Sequence, residues 1–135
     1  MSLHYLLDSD TLITLLRRRH QLAADRFAAA VGRIGVSSIS VFELARGLAG
    51  STAPDRERGA YEDLLSRVTI LPFDRAAAEH AGQIDQHLKA KGLMIGVYDR
   101  LLAGHARSLA LTMVTNNTRE FERVPGLMVE NWLAG

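Results

Sequence analysis

The first apolar segment, with the residues that follow it, reads Tyr5-Leu-Leu-Asp-Ser-Asp-Thr-Leu-Ile13. A short apolar run that ends at an aspartate is typical of a buried strand, and the apolar residues of 11–16 then recur at helical spacing. This segment therefore predicts a strand, an acid at its carboxyl end and a helix. In α/β proteins the carboxyl ends of strands carry the chemistry, so Asp8 is a candidate site residue. Its alternative role is to cap the helix that follows.

Short apolar runs and helical periodicity alternate along the rest of the chain. Further strands are predicted at 34–36, 68–73 and 111–115, with a weak last one at 128–130. Helices are predicted near 22–31, 41–48, 56–66, 75–91 and 98–109. Strands separated by helices predict a parallel sheet covered on both faces. We therefore expect a three-layer α/β/α domain with a mostly parallel central sheet of four to five strands.

Length and composition narrow the class of protein. The chain has 135 residues, of which 47% are hydrophobic and 23% charged, so residues 1–135 are expected to form one folded domain. The absence of cysteine excludes disulfides and thiolate metal ligands. No export signal opens the chain, and no apolar run approaches roughly 20 residues. A cytoplasmic protein without a membrane span is the expectation.

Three acids lie where the predicted sheet would place ligands. Asp8 ends the first strand, Glu43 lies in the helix after the second, and Asp99 opens the helix before the fourth. Converging carboxylates suit a hard cation such as Mg²⁺, which prefers oxygen ligands. Spacing leaves other roles open, because Glu43 follows Ser40 by the three residues of a capping box, and a first-turn Asp99 is stabilised by the helix dipole.

Four stretches, in order along the chain, resemble the motifs of PIN-domain ribonucleases of the VapC toxin type. The opening segment quoted above resembles their first strand and acid. The other three are Ser37-Ser-Ile-Ser-Val-Phe-Glu-Leu-Ala-Arg-Gly47, Gly96-Val-Tyr-Asp-Arg-Leu-Leu-Ala-Gly-His-Ala106, and Val114-Thr-Asn-Asn-Thr-Arg-Glu-Phe-Glu-Arg-Val-Pro-Gly-Leu127 followed by Glu130-Asn-Trp132. Together these motifs span almost the whole chain, and the chain is identified as a member of that family.

The resemblance implies an endoribonuclease that depends on Mg²⁺, with Mn²⁺ as a possible substitute. It assigns the metal ligands to Asp8, Glu43 and Asp99. It also implies that the protein is the toxin of a type II toxin–antitoxin pair, with RNA as substrate and a VapB-like antitoxin as partner. A homodimer and a larger toxin–antitoxin assembly are expected for the same reason.

The fourth acid of the family site is the main departure. Asn117 stands where the family often has an aspartate, and Asp10 stands where a neutral polar residue is common. Asn117, Asp10 or Glu120 could each complete the site, and this choice stays open. Thr115 is a candidate for orienting a ligand or water, with an ordinary strand-end threonine as the alternative.

Two other functions compete with the nuclease. A non-catalytic binding module with the PIN fold is favoured by Asn117 alone. A phosphatase of the haloacid-dehalogenase type is suggested by Asp8-Ser-Asp-Thr11, but that family needs a lysine at its site. Lys89 and Lys91 are the only lysines, and both lie at the end of a predicted helix. His105 lies on an apolar helix face, so we interpret it as a core histidine.

Overall fold

The computed structural model describes residues 2–134, and these form five strands and seven helices. The strands are β1 (Tyr5–Leu7), β2 (Ile34–Ser37), β3 (Thr69–Leu71), β4 (Thr112–Val114) and β5 (Val129–Glu130). The helices are α1 (Ser9–Arg17), α2 (Gln21–Ala29), α3 (Ser38–Ala49), α4 (Pro54–Ser66), α5 (Arg75–Lys91), α6 (Val97–Ser108) and α7 (Thr118–Phe121). The predicted strands and long helices are all present, with ends shifted by a few residues. The short α7 was not predicted.

The five strands form one parallel sheet in the order β3-β2-β1-β4-β5. The central strand β1 pairs with β4 in the register Leu7 to Val114. Because all strands are parallel, their carboxyl ends meet at one edge of the sheet. The backbone N–H of Asp8 continues this pairing by donating to the carbonyl of Val114 at 3.0 Å. Residues that follow β1 and β4 are thereby placed side by side.

Two hydrophobic cores lie on opposite faces of the sheet. Neighbouring residues of one strand point to opposite faces, so Leu6 and Met113 belong to one core while Leu7 and Val114 belong to the other. The first core packs against α5 and α6, and the second against helices from α1 to α4. These layers confirm the predicted α/β/α class. None of the helices in residues 2–134 is both long and apolar enough to cross a bilayer.

The N-caps of α5 and α3 can be compared with the capping residues predicted from the sequence. Asp74 caps α5 as the pattern indicates, accepting from the backbone N–H of Ala77 at 3.0 Å. The capping-box interpretation of Ser40 and Glu43 is wrong, because α3 begins earlier. Ser37 is its N-cap and accepts from the N–H of Ile39 at 3.1 Å. Glu43 is therefore well inside α3, and its side chain is free for another role.

A glycine sets the close approach of α5 and α6. A Cβ atom at Gly104 would lie 2.4 Å from the backbone nitrogen of Ala81, too close for any side chain. The same close packing buries Ala77 and Ala103 completely. Since α6 begins with the turn that carries Asp99, this contact between the helices helps to place that acid.

We expect Gly104→Ala to destabilise the protein by about 1–3 kcal/mol, because the added methyl group forces two helix backbones apart. Gly82→Ala is the matched control: Gly82 is also helical, but a Cβ there meets nothing within 4 Å. That variant should gain about 0.5–1 kcal/mol from helix propensity. Urea unfolding of both variants measures the difference, and equal stabilities would contradict this account of the helix contact.

Candidate functional site

Asp8 ends β1 and has two roles in the local structure. Its carboxylate caps α1 by accepting from the backbone N–H of Thr11 at 2.9 Å, and the hydroxyl of Thr115 also donates to it. Only 3% of Asp8 is exposed. This burial raises the pKa of the Asp8 carboxyl, the two threonines oppose the rise, and the charge of Asp10 adds to it. Asp8 is thus a firmly held acid that is costly to ionise.

Asp99 lies in the first turn of α6 and is half-buried. Burial raises its pKa to about 6 from an ordinary value of 3.8, and repulsion from other acids adds to the rise. In decreasing order of effect, those acids are Asp8, Glu120, Asp10 and Glu43. All four of these neighbours are carboxylates, so each of them adds to the rise in the pKa of Asp99. The helix start at Gly96 leaves room for the Asp99 carboxylate, since a Cβ there would lie 3.4 Å from Oδ2.

Glu43 reaches the same region from α3. The hydroxyl of Ser9 donates to Glu43 Oε1 at 2.5 Å, and Ser9 is also hydrogen-bonded to the hydroxyl of Ser40 at 3.0 Å. Ser9 and Ser40 are both buried. This chain of hydroxyls ties the start of α1 to α3 and fixes the direction of the Glu43 side chain.

Glu120 lies in α7, and Asn117 is the residue just before this helix. Their side chains form a hydrogen-bonded pair. The side-chain amide of Asn117 donates to Glu120 Oε2 at 2.7 Å. The backbone N–H of Asn117 donates to Thr115 Oγ1 at 2.9 Å, so the turn after β4 is tied to the residue that also holds Asp8. Asn117 therefore orients Glu120, and Glu120 supplies one of the charges that act on Asp99.

The structure brings the sequence-predicted residues into one region. The acids among them are coupled through the charge on Asp99, and Asn117 and Thr115 are joined to the acids by hydrogen bonds. Within residues 2–134, no three histidine, cysteine, aspartate or glutamate side chains stand close enough to enclose a metal ion as they are placed. Carboxylates repel one another, which favours separation of these side chains.

The role of the buried hydroxyls of Ser9 and Ser40, which fix the direction of the Glu43 side chain, was not predicted from the sequence. The available signal was the position of Ser9 directly after the acid at a strand end. The interpretation of His105 as a core residue is confirmed: it is 1% exposed and lies 2.8 Å from Ser37 Oγ. Burial lowers the pKa of His105, which keeps the ring neutral in the core.

The chain is also similar to known proteins, both in sequence and in structure. The PIN domain family model matches residues 5–127. A protein from Salmonella typhimurium named tRNA(fMet)-specific endonuclease VapC is 42% identical over 130 residues, which cover 96% of this chain and 98% of the relative. Ribonuclease VapC2 from Haemophilus influenzae is 44% identical over 131 residues, or 97% and 99% of the two chains. The crystal structure of DNA-bound VapBC from Salmonella typhimurium contains a chain that superimposes with a TM-score of 0.92 at 42% identity, covering 96% of this chain and 98% of that one.

The burial of Asp99, together with repulsion from the neighbouring acids, predicts a pH-dependent gain in stability for Asp99→Asn without metal. The raised pKa means that folding favours the protonated acid, so wild-type protein loses stability as the pH rises from about 4 to about 6. The neutral variant escapes this loss. The stability difference should therefore open over that range and stay constant above it, as measured by urea unfolding in a chelator.

Asp55→Asn is the matched control, since Asp55 is an exposed first-turn aspartate of α4. It has the same position relative to a helix dipole but lies outside the acid cluster. A stability difference for Asp99→Asn that does not change with pH, or that Asp55→Asn reproduces, would refute the raised pKa of Asp99 and the burial and repulsion that cause it.

Proposed function

The chain belongs to the PIN-domain family, and from this premise we propose that its carboxylate cluster is the active site of a Mg²⁺-dependent endoribonuclease. The protein is a ribonuclease of the VapC type, the toxin of a toxin–antitoxin pair. The site assignment rests most directly on Asp99, a half-buried acid whose pKa is raised by burial and by the charges of four other carboxylates. Such a cluster is costly for folding alone and suits a site that binds a cation.

Asp8, Asp99 and Glu43 are the proposed metal ligands. PIN-domain nucleases depend on a divalent metal, and the oxygen-only donor set with no histidine nearby favours Mg²⁺, with Mn²⁺ as a substitute. Mg²⁺ keeps several of its waters and needs only one or two carboxylates directly. The donor chemistry therefore fits even though the acids are not preassembled around an ion.

The residues of the chain have distinct parts in the proposed reaction. When bound, a divalent cation supplies positive charge for the phosphate and makes water a better nucleophile. Asp8 is held in place by Thr11 and Thr115, so its carboxylate needs no reorganisation to act as a ligand. Ser9 fixes Glu43 in the same way from the opposite side. Thr115 is a positioning residue, because it acts through Asp8.

Glu120 is the proposed fourth acid, and Asn117 is its positioning residue. Asn117 donates its side-chain amide to Glu120 Oε2, and this contact favours a role in orienting Glu120 over a role as a ligand. Among the acids whose charge acts on Asp99, Glu120 ranks directly after Asp8. At position 117, we therefore propose, the aspartate ligand of the family is replaced by an asparagine that orients the neighbouring ligand Glu120.

The protein partners follow from the same assignment. The protein pairs with a VapB-like antitoxin, and a homodimer within the larger assembly is part of the proposal. Since one relative is named for specificity toward tRNA(fMet), that tRNA is the first substrate to test. The phosphatase alternative is disfavoured, because neither Lys89 nor Lys91 is among the charges that act on Asp8 and Asp99.

Removing the charge of Asp8 should abolish cleavage without removing its helix cap. Asparagine is an equally good N-cap, so Asp8→Asn should fold with nearly wild-type stability yet cut tRNA(fMet) more than about 100-fold more slowly with Mg²⁺. Asp8→Ala should be equally inactive and also about 1 kcal/mol less stable. Both variants should lose toxicity when expressed in a bacterial host. Cleavage by Asp8→Asn at the wild-type rate would rule out the proposed site.

Calorimetric Mg²⁺ titration distinguishes Glu120 from Asn117 as the fourth ligand. Glu120→Gln should weaken binding several-fold, since one attractive charge is lost. Asn117→Asp should give no gain, because it exchanges a hydrogen-bond donor 2.7 Å from Glu120 Oε2 for a second repelling carboxylate. Asp10→Asn serves as the control for a nearby acid. Tighter binding by Asn117→Asp, with Glu120→Gln unchanged, would make residue 117 the vacant ligand position instead.

A further inference from the structure

An aromatic pair, of which Phe42 is exposed and Tyr98 is half-buried, bridges α3 and α6. Phe42 is 49% exposed, whereas the other phenylalanines are buried or partly buried. Its ring lies with its centroid 5.9 Å from that of Tyr98, and the two planes are tilted by 43°. Exposed apolar side chains are common on protein surfaces, so the exposure of Phe42 alone indicates nothing. What distinguishes Phe42 is its pairing with a second ring on another helix and with a cation.

Arg46 completes this surface. It lies one turn after Phe42 on α3, and its guanidinium carbon is 5.2 Å from the centroid of Phe42 and 5.5 Å from that of Tyr98. The ion pairs formed within residues 2–134 do not include Arg46, and its side chain is exposed. We call these three residues the aromatic platform. It offers two π faces and one positive charge at the same place.

The platform directly borders the acid cluster. Phe42 is the residue before Glu43, and Tyr98 is the residue before Asp99. These two acids are themselves close enough for the charge of Glu43 to raise the pKa of Asp99. The rings and the carboxylates thus lie on adjacent strips of the same α3–α6 junction. A nucleotide chain with a phosphate at the acids would pass over the rings with its neighbouring base.

We propose that Phe42, Tyr98 and Arg46 form a subsite that stacks an unpaired nucleobase of the RNA next to the phosphate being cut. The proposal rests on the ribonuclease function above and names a determinant of substrate binding for that function. Aromatic faces beside a cationic side chain are the usual elements of single-strand recognition, since every base has a π face. Arg46 also places a guanidinium where the phosphate next to the stacked base would lie.

An RNA strand fits this surface better than an apolar protein face does. An apolar protein face that covered the rings would have to bring a cation to the adjacent carboxylates or leave their charge desolvated, which is costly. The RNA substrate instead brings its phosphate to the acids together with the cation they bind. Binding of a protein to the aromatic platform is therefore the alternative that the experiments below distinguish from RNA binding.

The first experiment measures steady-state cleavage of tRNA(fMet) by the full-length protein with Mg²⁺. Phe42→Leu and Tyr98→Leu keep an apolar side chain but remove the π face, so KM should rise by about tenfold while kcat changes little. Phe42→Tyr and Tyr98→Phe keep a π face and should restore most of the lost affinity. Met128→Ala is the control. Met128 is a 55% exposed apolar residue just before β5, so it lies at the amino ends of the strands and away from the acids, and its removal should leave KM unchanged. Leucine variants with wild-type KM would overturn the proposal.

The second experiment separates this proposal from the ribonuclease function. Binding of a fluorescent single-stranded RNA oligonucleotide is compared with binding of the same backbone without bases, in a chelator so that nothing is cut. Wild type should prefer the base-bearing strand, and both leucine variants should lose most of that preference. If wild type cuts no RNA yet prefers the base-bearing strand, the proposed ribonuclease function is wrong and the proposed base-stacking subsite is supported. If it cuts RNA without the preference, the platform alone fails.

Sedimentation velocity tests for a protein occupant. The Phe42→Leu/Tyr98→Leu double variant should have the same oligomeric state as wild type. Conversion from dimer to monomer would show that the surface joins two copies of the chain, and the stacking proposal would be overturned.

Discussion

Repulsion between carboxylates at one edge of the sheet is the constraint on which the functional interpretation of this structure depends. Parallel pairing of β1 with β4 places Asp8 beside Thr115, and the start of α6 brings Asp99 to the same edge. Burial then removes the water that would screen the charges, and the pKa of Asp99 rises to about 6. The fold tolerates this cost because the two hydrophobic cores and the α5–α6 contact stabilise the scaffold that carries the site.

The hydroxyl and amide side chains around the site limit how the acids can move. Thr11 and Thr115 hold Asp8, Ser9 holds Glu43, and Asn117 holds Glu120. Each of these acids accepts a hydrogen bond from a residue close to a strand end or a helix start. The arrangement gives a site that is preorganised in direction while its charges still repel one another, which is a suitable starting state for binding a cation.

The fold class and Asp8 could be predicted from local patterns, because strand, acid and helix follow one another within a few residues. Asp99 and Glu43 could be assigned only through the resemblance to a family, since spacing does not show that α3 and α6 meet. The Ser40 capping box failed because Ser37 offers a competing cap three residues earlier. The Asn117–Glu120 pair was beyond prediction because α7 has four residues and therefore no periodicity to detect.

We propose that these carboxylates hold a divalent cation at the carboxyl ends of the strands. An anomalous difference map from crystals soaked in Mn²⁺, which substitutes for Mg²⁺ and scatters strongly, tests this proposal most directly. We expect a peak at a distance of about 2 Å from carboxylate oxygens of Asp8 and Asp99, with Glu43 or Glu120 turned toward it. A map with no peak between Asp8 and Asp99 at saturating Mn²⁺, or with the ion bound elsewhere on the chain, would contradict it.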